Sequence, residues 1–178
     1  MPTEVIEYNA PVTIIDFAKH DNAVLRFYCK WGVNFLDEEM LAHTAPNRYF
    51  SRDCKFIRPD GSTVEGNASI LAMLRNLHIR FAKMERESLR IVLLSDSDRD
   101  LHELQTTNLL SLWKTLDDDP ICIPEAVYYE IGKAEDEEGA GTEGLQVRRM
   151  WHAYDKEMIA REEQDLEEME RAERAKKG

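Results

Sequence analysis

Cysteine is scarce in this chain, with three in 178 residues at Cys29, Cys54 and Cys122. Their odd number, wide spacing and lack of a C-x-x-C pair exclude a disulfide framework and a thiolate zinc site, and they read as buried thiols. Long apolar runs are also missing. Nothing approaches the ~20 residues that a membrane-spanning helix needs, and residues 1–10 lack the basic start and apolar stretch of a secretory signal. A soluble, cytoplasmic protein with no membrane partner is the expectation. Bases are the minority charge, 23 Lys and Arg against 35 Asp and Glu, for a net charge of -12. That sign argues against nucleic acid as a partner, because gripping a phosphate backbone needs a local basic patch. His20, His43, His78, His102 and His152 do not pair at a metal-ligand spacing, and no loop resembles GxxxxGK or GxGxxG. Neither a metal nor a cofactor is expected.

What the chain does have is 43% apolar residues, enough to bury one core. Val24, Phe27, Tyr28, Trp31 and Phe35 recur at three- and four-residue spacing and predict a helix with one buried face, with His20 or Asp21 as its start and Asp21 the better cap. Gly32 loosens that helix. The acids Asp37, Glu38 and Glu39 open a short second one that ends before Pro46. Residues 49–58 alternate and carry aromatics, so they predict a strand, closed by the turn Arg58-Pro59-Asp60-Gly61. From the capping residue Asn67, the apolar positions Ile70, Leu74, Leu77 and Phe81 mark a third helix. Further strands are predicted at 89–95, 101–116, 121–131 and 145–154. The order implies an α+β domain, with helices packed on one face of an antiparallel sheet and consecutive strands as neighbours. The domain spans 1–155 with an irregular lead-in at 1–12. An acidic glycine stretch at 135–144 interrupts it, and a charged tail at 156–178 follows. Glu157 to Arg161, Glu167 to Arg171, Glu170 to Arg174 and Glu173 to Lys177 stand at i,i+4 and predict that the tail is a solvated helix.

In order and spacing these segments resemble the nuclear transport factor two-like superfamily, and within it the SnoaL-like branch of polyketide cyclases and ketosteroid isomerases. The resemblance covers residues 24–155. It rests on Arg26-Phe27-Tyr28 with Trp31, on Tyr49-Phe50-Ser51-Arg52-Asp53-Cys54-Lys55-Phe56 leading into Pro59-Asp60-Gly61, on Glu65-Gly66-Asn67, on 126–131, and on 147–155. It implies a cone-shaped half-barrel, a curved antiparallel sheet wrapped around three helices with a pocket at the open end. Two departures stand out: residues 41–48 look inserted, and the short turn before the last strand has grown into the acidic loop.

Strand parity divides the last strand into Met150, His152 and Tyr154 on one side and Val147, Arg149 and Trp151 on the other. The resemblance turns the first set toward the pocket. His152 is then the candidate for proton transfer, and Tyr154 the candidate donor to a substrate carbonyl; a core histidine and a packing tyrosine are the structural alternatives. By the same parity Cys54, Phe56 and Arg58 share a face. The resemblance places Arg58 where ketosteroid isomerases carry an aspartate base, and Val127, or with a one-residue slip Ala126 or Tyr128, where they carry a second aspartate. An arginine cannot exchange a proton near neutrality, which argues against steroid-isomerase chemistry. Arg58 could instead hold a carboxylate or phenolate, or pair with Asp60. Tyr28, Trp31, Phe56, Tyr129 and Met150 complete the candidate ligand-binding set.

Two functions compete. The first is a cofactor-free enzyme, a cyclase, dehydratase or isomerase acting on an apolar or polyketide-like ligand with His152 as acid or base. The second is a non-catalytic ligand-binding or assembly module, whose acidic loop and tail meet a basic partner. Val147 and Trp151 would leave an apolar stripe on the outer face of the sheet, and relatives commonly pair there, so a homodimer is expected.

Overall fold

The computed structural model describes residues 3–9, 11–12, 14–96, 100–117 and 119–155. The tail expected to be helical, 156–178, lies outside the described residues. The chain forms β1 (Thr3–Tyr8), a 3-10 turn (Ile14–Lys19), α1 (Ala23–Leu36), α2 (Glu38–His43), β2 (Phe50–Ile57), β3 (Thr63–Glu65), α3 (Asn67–Arg80), β4 (Lys83–Asp96), β5 (Leu101–Trp113), β6 (Ile121–Lys133) and β7 (Leu145–Tyr154). The seven strands make one curved, unclosed sheet in the order β1-β4-β5-β6-β7-β2-β3. Every pairing is antiparallel except β2 with β7, which is parallel and makes the sheet mixed.

The helix α1 lies in the hollow of this sheet because its apolar face has nowhere else to go. Val24, Phe27, Tyr28, Trp31 and Phe35 are all buried. Its cap is Asn22 rather than Asp21: Asn22 Oδ1 accepts from the backbone N–H of Val24 at 2.9 Å and of Leu25 at 3.3 Å. Gly32 serves close packing, since a Cβ there would sit 2.9 Å from Ile14 Cδ1. The cap of α3 is Gly66, at φ 87°, and Asn67 lies inside the helix. Only glycine adopts that backbone without strain.

Three further departures from the expected pattern matter for the site. Residues 3–8 of the presumed irregular lead-in form β1, which pairs with the outer half of β4. The strand β4 begins at Lys83, six residues earlier than expected, and carries a register shift between Ser88 and Arg90. The extra residue turns Met84, Arg86 and Ser88 inward in its first half and Ile91 and Leu93 inward in its second. A second shift, between Glu130 and Ile131, sits opposite Arg148. It turns Val147 into the core, fully buried, instead of onto the outer face. The outer stripe expected to pair two copies is thereby reduced to Trp151, whose ring packs edge-on against Tyr128 at 4.7 Å and is covered by Arg149.

The acidic loop folds back on the chain itself. Glu143 pairs with Arg26 at 2.8 Å and with Lys30, Glu137 pairs with Arg52, and Glu135 accepts from the backbone N–H of Arg52. Its charge is largely answered within the domain.

Candidate active site

Period-two alternation along β6 turns Ile121, Ile123, Glu125, Val127, Tyr129 and Ile131 toward the helices, all of them buried. Five of these are apolar or aromatic; the carboxylate of Glu125 is the exception and needs partners. The sheet supplies them. Ser88, Asn108, Glu125 and Tyr154 sit opposite one another on β4, β5, β6 and β7, and His152 faces Val127 one step along. Glu125 Oε2 meets His152 Nε2 at 2.5 Å, and its Oε1 meets Arg86 Nε at 2.6 Å and accepts from Asn108 Nδ2 at 3.1 Å. The Arg86 Nε–H is poorly aligned with that oxygen, so the contact is an ion pair more than a hydrogen bond. The Arg86 side chain is 4% exposed and its guanidinium lies 4.8 Å from the centre of the Phe35 ring.

The electrostatics of this cluster follow from burial and pairing in opposition. Burial alone would push the Glu125 carboxyl up, but the Arg86 charge and the His152 contact outweigh it and hold the group down at about 2. Burial likewise works against the Arg86 charge, and Glu125 more than offsets it, so the guanidinium is charged at every relevant pH. An ionised carboxylate only accepts hydrogen bonds. His152 therefore donates Nε2–H to Glu125, so in the neutral ring the lone pair lies on Nδ1, which has no protein partner among the described residues.

Behind this triad the network continues into the core. Asn108 Oδ1 accepts from Ser88 Oγ at 3.0 Å, so the 3.2 Å contact between Ser88 Oγ and Tyr28 is donated by the Tyr28 hydroxyl. Burial raises the Tyr28 and Tyr129 hydroxyls above the ordinary phenol range, keeping both protonated.

A cavity of about 320 Å³ opens in front of the triad. That is at the small end of ligand sites. Of the sequence candidates, His152, Tyr154, Phe56 and Met150 line it from β7 and β2, Trp31 from α1, Tyr129 from β6, and Arg58 from the β2–β3 turn. The His152 and Tyr154 rings lie 4.8 Å apart, and the Phe56 ring stands edge-on to His152 at 6.2 Å. Tyr28 is the exception among the candidates. It is buried behind Tyr129, ring centres 6.0 Å apart, and does not reach the lumen. Arg58 makes no ion pair among the described residues, and Asp60 accepts from the Ser62 hydroxyl at 2.6 Å. Val127 lines the cavity and brings no second carboxylate. Among the described residues no group of three His, Cys, Asp or Glu could hold a metal, and no helix is long and apolar enough to cross a membrane.

Sequence reasoning missed Arg86, Asn108 and Glu125. Parity along 121–131 was a sufficient signal for Glu125, the one acid in an inward row. Arg86 had no such signal, because Lys83-Met84-Glu85-Arg86-Glu87 reads as a charged loop and its direction depends on the shift after Ser88.

No protein-family model and no curated protein matches the chain. Solved structures do. An NTF-2 like protein of unknown function from Pseudomonas aeruginosa superposes with a TM-score of 0.53 at 14% identity, covering 75% of this chain and 99% of that one. The chain has the nuclear transport factor two-like fold. A putative scytalone dehydratase from Novosphingobium aromaticivorans is similar at a TM-score of 0.57, 11% identity and coverage of 75% and 82%. A type 2 hexachlorocyclohexane dehydrochlorinase, LinA, is similar at 0.56, 13% identity and coverage of 80% and 90%. At these identities the likeness establishes the nuclear transport factor two-like cone and nothing about the chemistry inside it.

Proposed function

We propose that this protein is an enzyme of the lyase or isomerase kind that removes and returns a proton on a small, mostly apolar ligand, with His152 as the base. The observation that carries this reading is the 2.5 Å contact from Glu125 Oε2 to His152 Nε2 at the wall of the cavity. Glu125 sets the tautomer, so the lone pair is on Nδ1, and it stabilises the imidazolium that forms when Nδ1 takes the proton. Arg86 keeps Glu125 ionised although it is buried. Taking a proton from the ligand turns the triad from neutral to singly positive and makes the ligand one charge more negative, so charge is separated only across the cavity. Tyr154, beside His152, is a donor for a leaving or developing oxygen. The names of two structural neighbours, a putative dehydratase and a dehydrochlorinase, both denote eliminations, which remove a proton together with a leaving group.

A non-catalytic binding module is the second reading, and Arg58 and Val127, at the positions where the resemblance places paired aspartates, favour it. One experiment separates the two. The full chain is incubated in D2O with a panel of aryl ketones and 1,3-diketones, and deuterium uptake at carbon is followed by NMR. The enzyme reading expects uptake above the buffer rate that falls by about 10²- to 10⁴-fold in His152→Gln. No protein-dependent uptake, or uptake unchanged in that variant, contradicts it.

A further inference from the structure

Two polar groups that line the cavity have no partner among the described residues, and they stand at opposite ends of β2: Trp31 packs on Phe50 at its start, and Arg58 follows Ile57 at its end. At the inner end, Trp31 Nε1–H is buried with no hydrogen-bond partner among the described residues, in a side chain that is 2% exposed. The Tyr129 hydroxyl is close to it but not aligned to accept. A buried donor left without an acceptor costs ~1–3 kcal/mol, so an acceptor oxygen placed there by a ligand would recover that loss. At the outer end, the half-buried Arg58 lines the cavity from the β2–β3 turn and has no acid partner among the described residues. The charge of Arg86 is answered by Glu125 behind the wall, whereas Arg58 stays without a counter-ion among the described residues, inside a chain whose net charge is -12. A cation left unanswered at a cavity selects an anion. Between the two ends the wall is apolar and aromatic, including Phe56, Leu74, Ile123 and Met150.

We infer that the ligand is a ring-bearing carboxylic acid, with its carboxylate on Arg58, its apolar body along the cavity, and a hydroxyl or carbonyl oxygen at the far end accepting from Trp31 Nε1–H. This names the substrate class for the proton-transfer reading above and rests on it only for the word substrate; binding stands or falls by itself. A guanidinium fork matches a carboxylate in two parallel hydrogen bonds, which a neutral group cannot reproduce.

The probe is 6-hydroxy-2-naphthoate, compared with 2-naphthoate, which lacks the far oxygen, and 2-naphthol, which lacks the carboxylate. Affinities are measured by isothermal titration calorimetry on the full chain at pH 7. 6-Hydroxy-2-naphthoate is expected to bind at least about tenfold tighter than either comparison compound. Arg58→Gln, a change at a partly exposed turn that leaves the fold intact, should erase the advantage over 2-naphthol. Trp31→Phe, which keeps an aromatic ring and removes the N–H, should erase the advantage over 2-naphthoate; its melting temperature checks the packing. No binding of 6-hydroxy-2-naphthoate, equal affinity for 2-naphthol, or an advantage that survives Arg58→Gln overturns the inference. His152→Gln should leave these affinities within about threefold, so failure of the catalytic reading would show as lost deuterium exchange with binding intact.

Discussion

Replacing Glu125 by glutamine removes one negative charge and almost no volume, from a site where the Arg86 side chain is 4% exposed and the Glu125 side chain fully covered. The guanidinium keeps its charge and loses its counter-ion at 2.6 Å. Breaking a buried pair from one side costs roughly 3–5 kcal/mol, because the remaining charge has neither water nor a partner. For a domain of this size each kcal/mol lowers the melting temperature by ~2–4 °C, so Glu125→Gln should melt about 6–20 °C lower. The paired change Glu125→Leu with Arg86→Met removes both charges and should recover most of that loss. Activity should not recover in either variant. In Glu125→Gln the amide can present N–H to His152 Nε2, which draws the proton onto Nδ1 and abolishes the base. Thermal melts and urea titrations of wild type, single and double variants measure this. A Glu125→Gln protein within about 1 kcal/mol of wild type, or a double variant no better than the single, would refute the claim that Arg86 and Glu125 hold each other charged in the core.

Acid should weaken the fold through the same carboxylate. Its folded value is depressed to about 2 from 4.5, so the stability it contributes is complete above pH ~4.5 and is lost as pH falls through the window from there to ~2; urea midpoints at pH 6 and pH 3 should differ more in wild type than in the double variant that carries Glu125→Leu and Arg86→Met. Asn22→Ala should cost ~0.5–2 kcal/mol in urea unfolding while Asp21→Ala costs less than ~0.5, because the Asn22 side chain caps α1. Tyr28→Phe should cost ~0.5–1.5 kcal/mol through its lost hydrogen bond to Ser88, with probe affinity unchanged in calorimetry, since Tyr28 lies behind Tyr129 and outside the cavity.

The cone was legible in the sequence because its signals are periodic. The face Val24, Phe27, Tyr28, Trp31, Phe35 names α1, and β7 runs over the same residues, 145–154, that alternation marked out. Parity also brought His152 and Tyr154 correctly to one face of β7, and the family resemblance chose Tyr129 over Tyr128 as the inward residue of β6. What stayed hidden depends on pairing between strands. Val147 changes face because Arg148 is an extra residue opposite the ladder between Glu130 and Ile131, and Arg86 turns inward because of the shift after Ser88. Such shifts leave no mark in a single strand's alternation. β1 was missed for another reason: Thr3-Glu4-Val5-Ile6-Glu7-Tyr8 is short, and its exposed edge position leaves Val5 on the surface. The triad of Arg86, Glu125 and His152 is assembled from three strands, so no local motif announces it.

The measurement closest to the central claim is the protonation of the His152 ring, read from the two ring nitrogen resonances in long-range ¹H–¹⁵N NMR spectra at neutral pH, with His152→Gln to assign them. With an ionised Glu125 on Nε2, the account requires a neutral ring with its proton on Nε2 and the unprotonated, lone-pair resonance on Nδ1. In Glu125→Gln the proton should move to Nδ1. A wild-type ring that already carries its proton on Nδ1 would contradict the account, because the nitrogen assigned as the base would then have no lone pair to use.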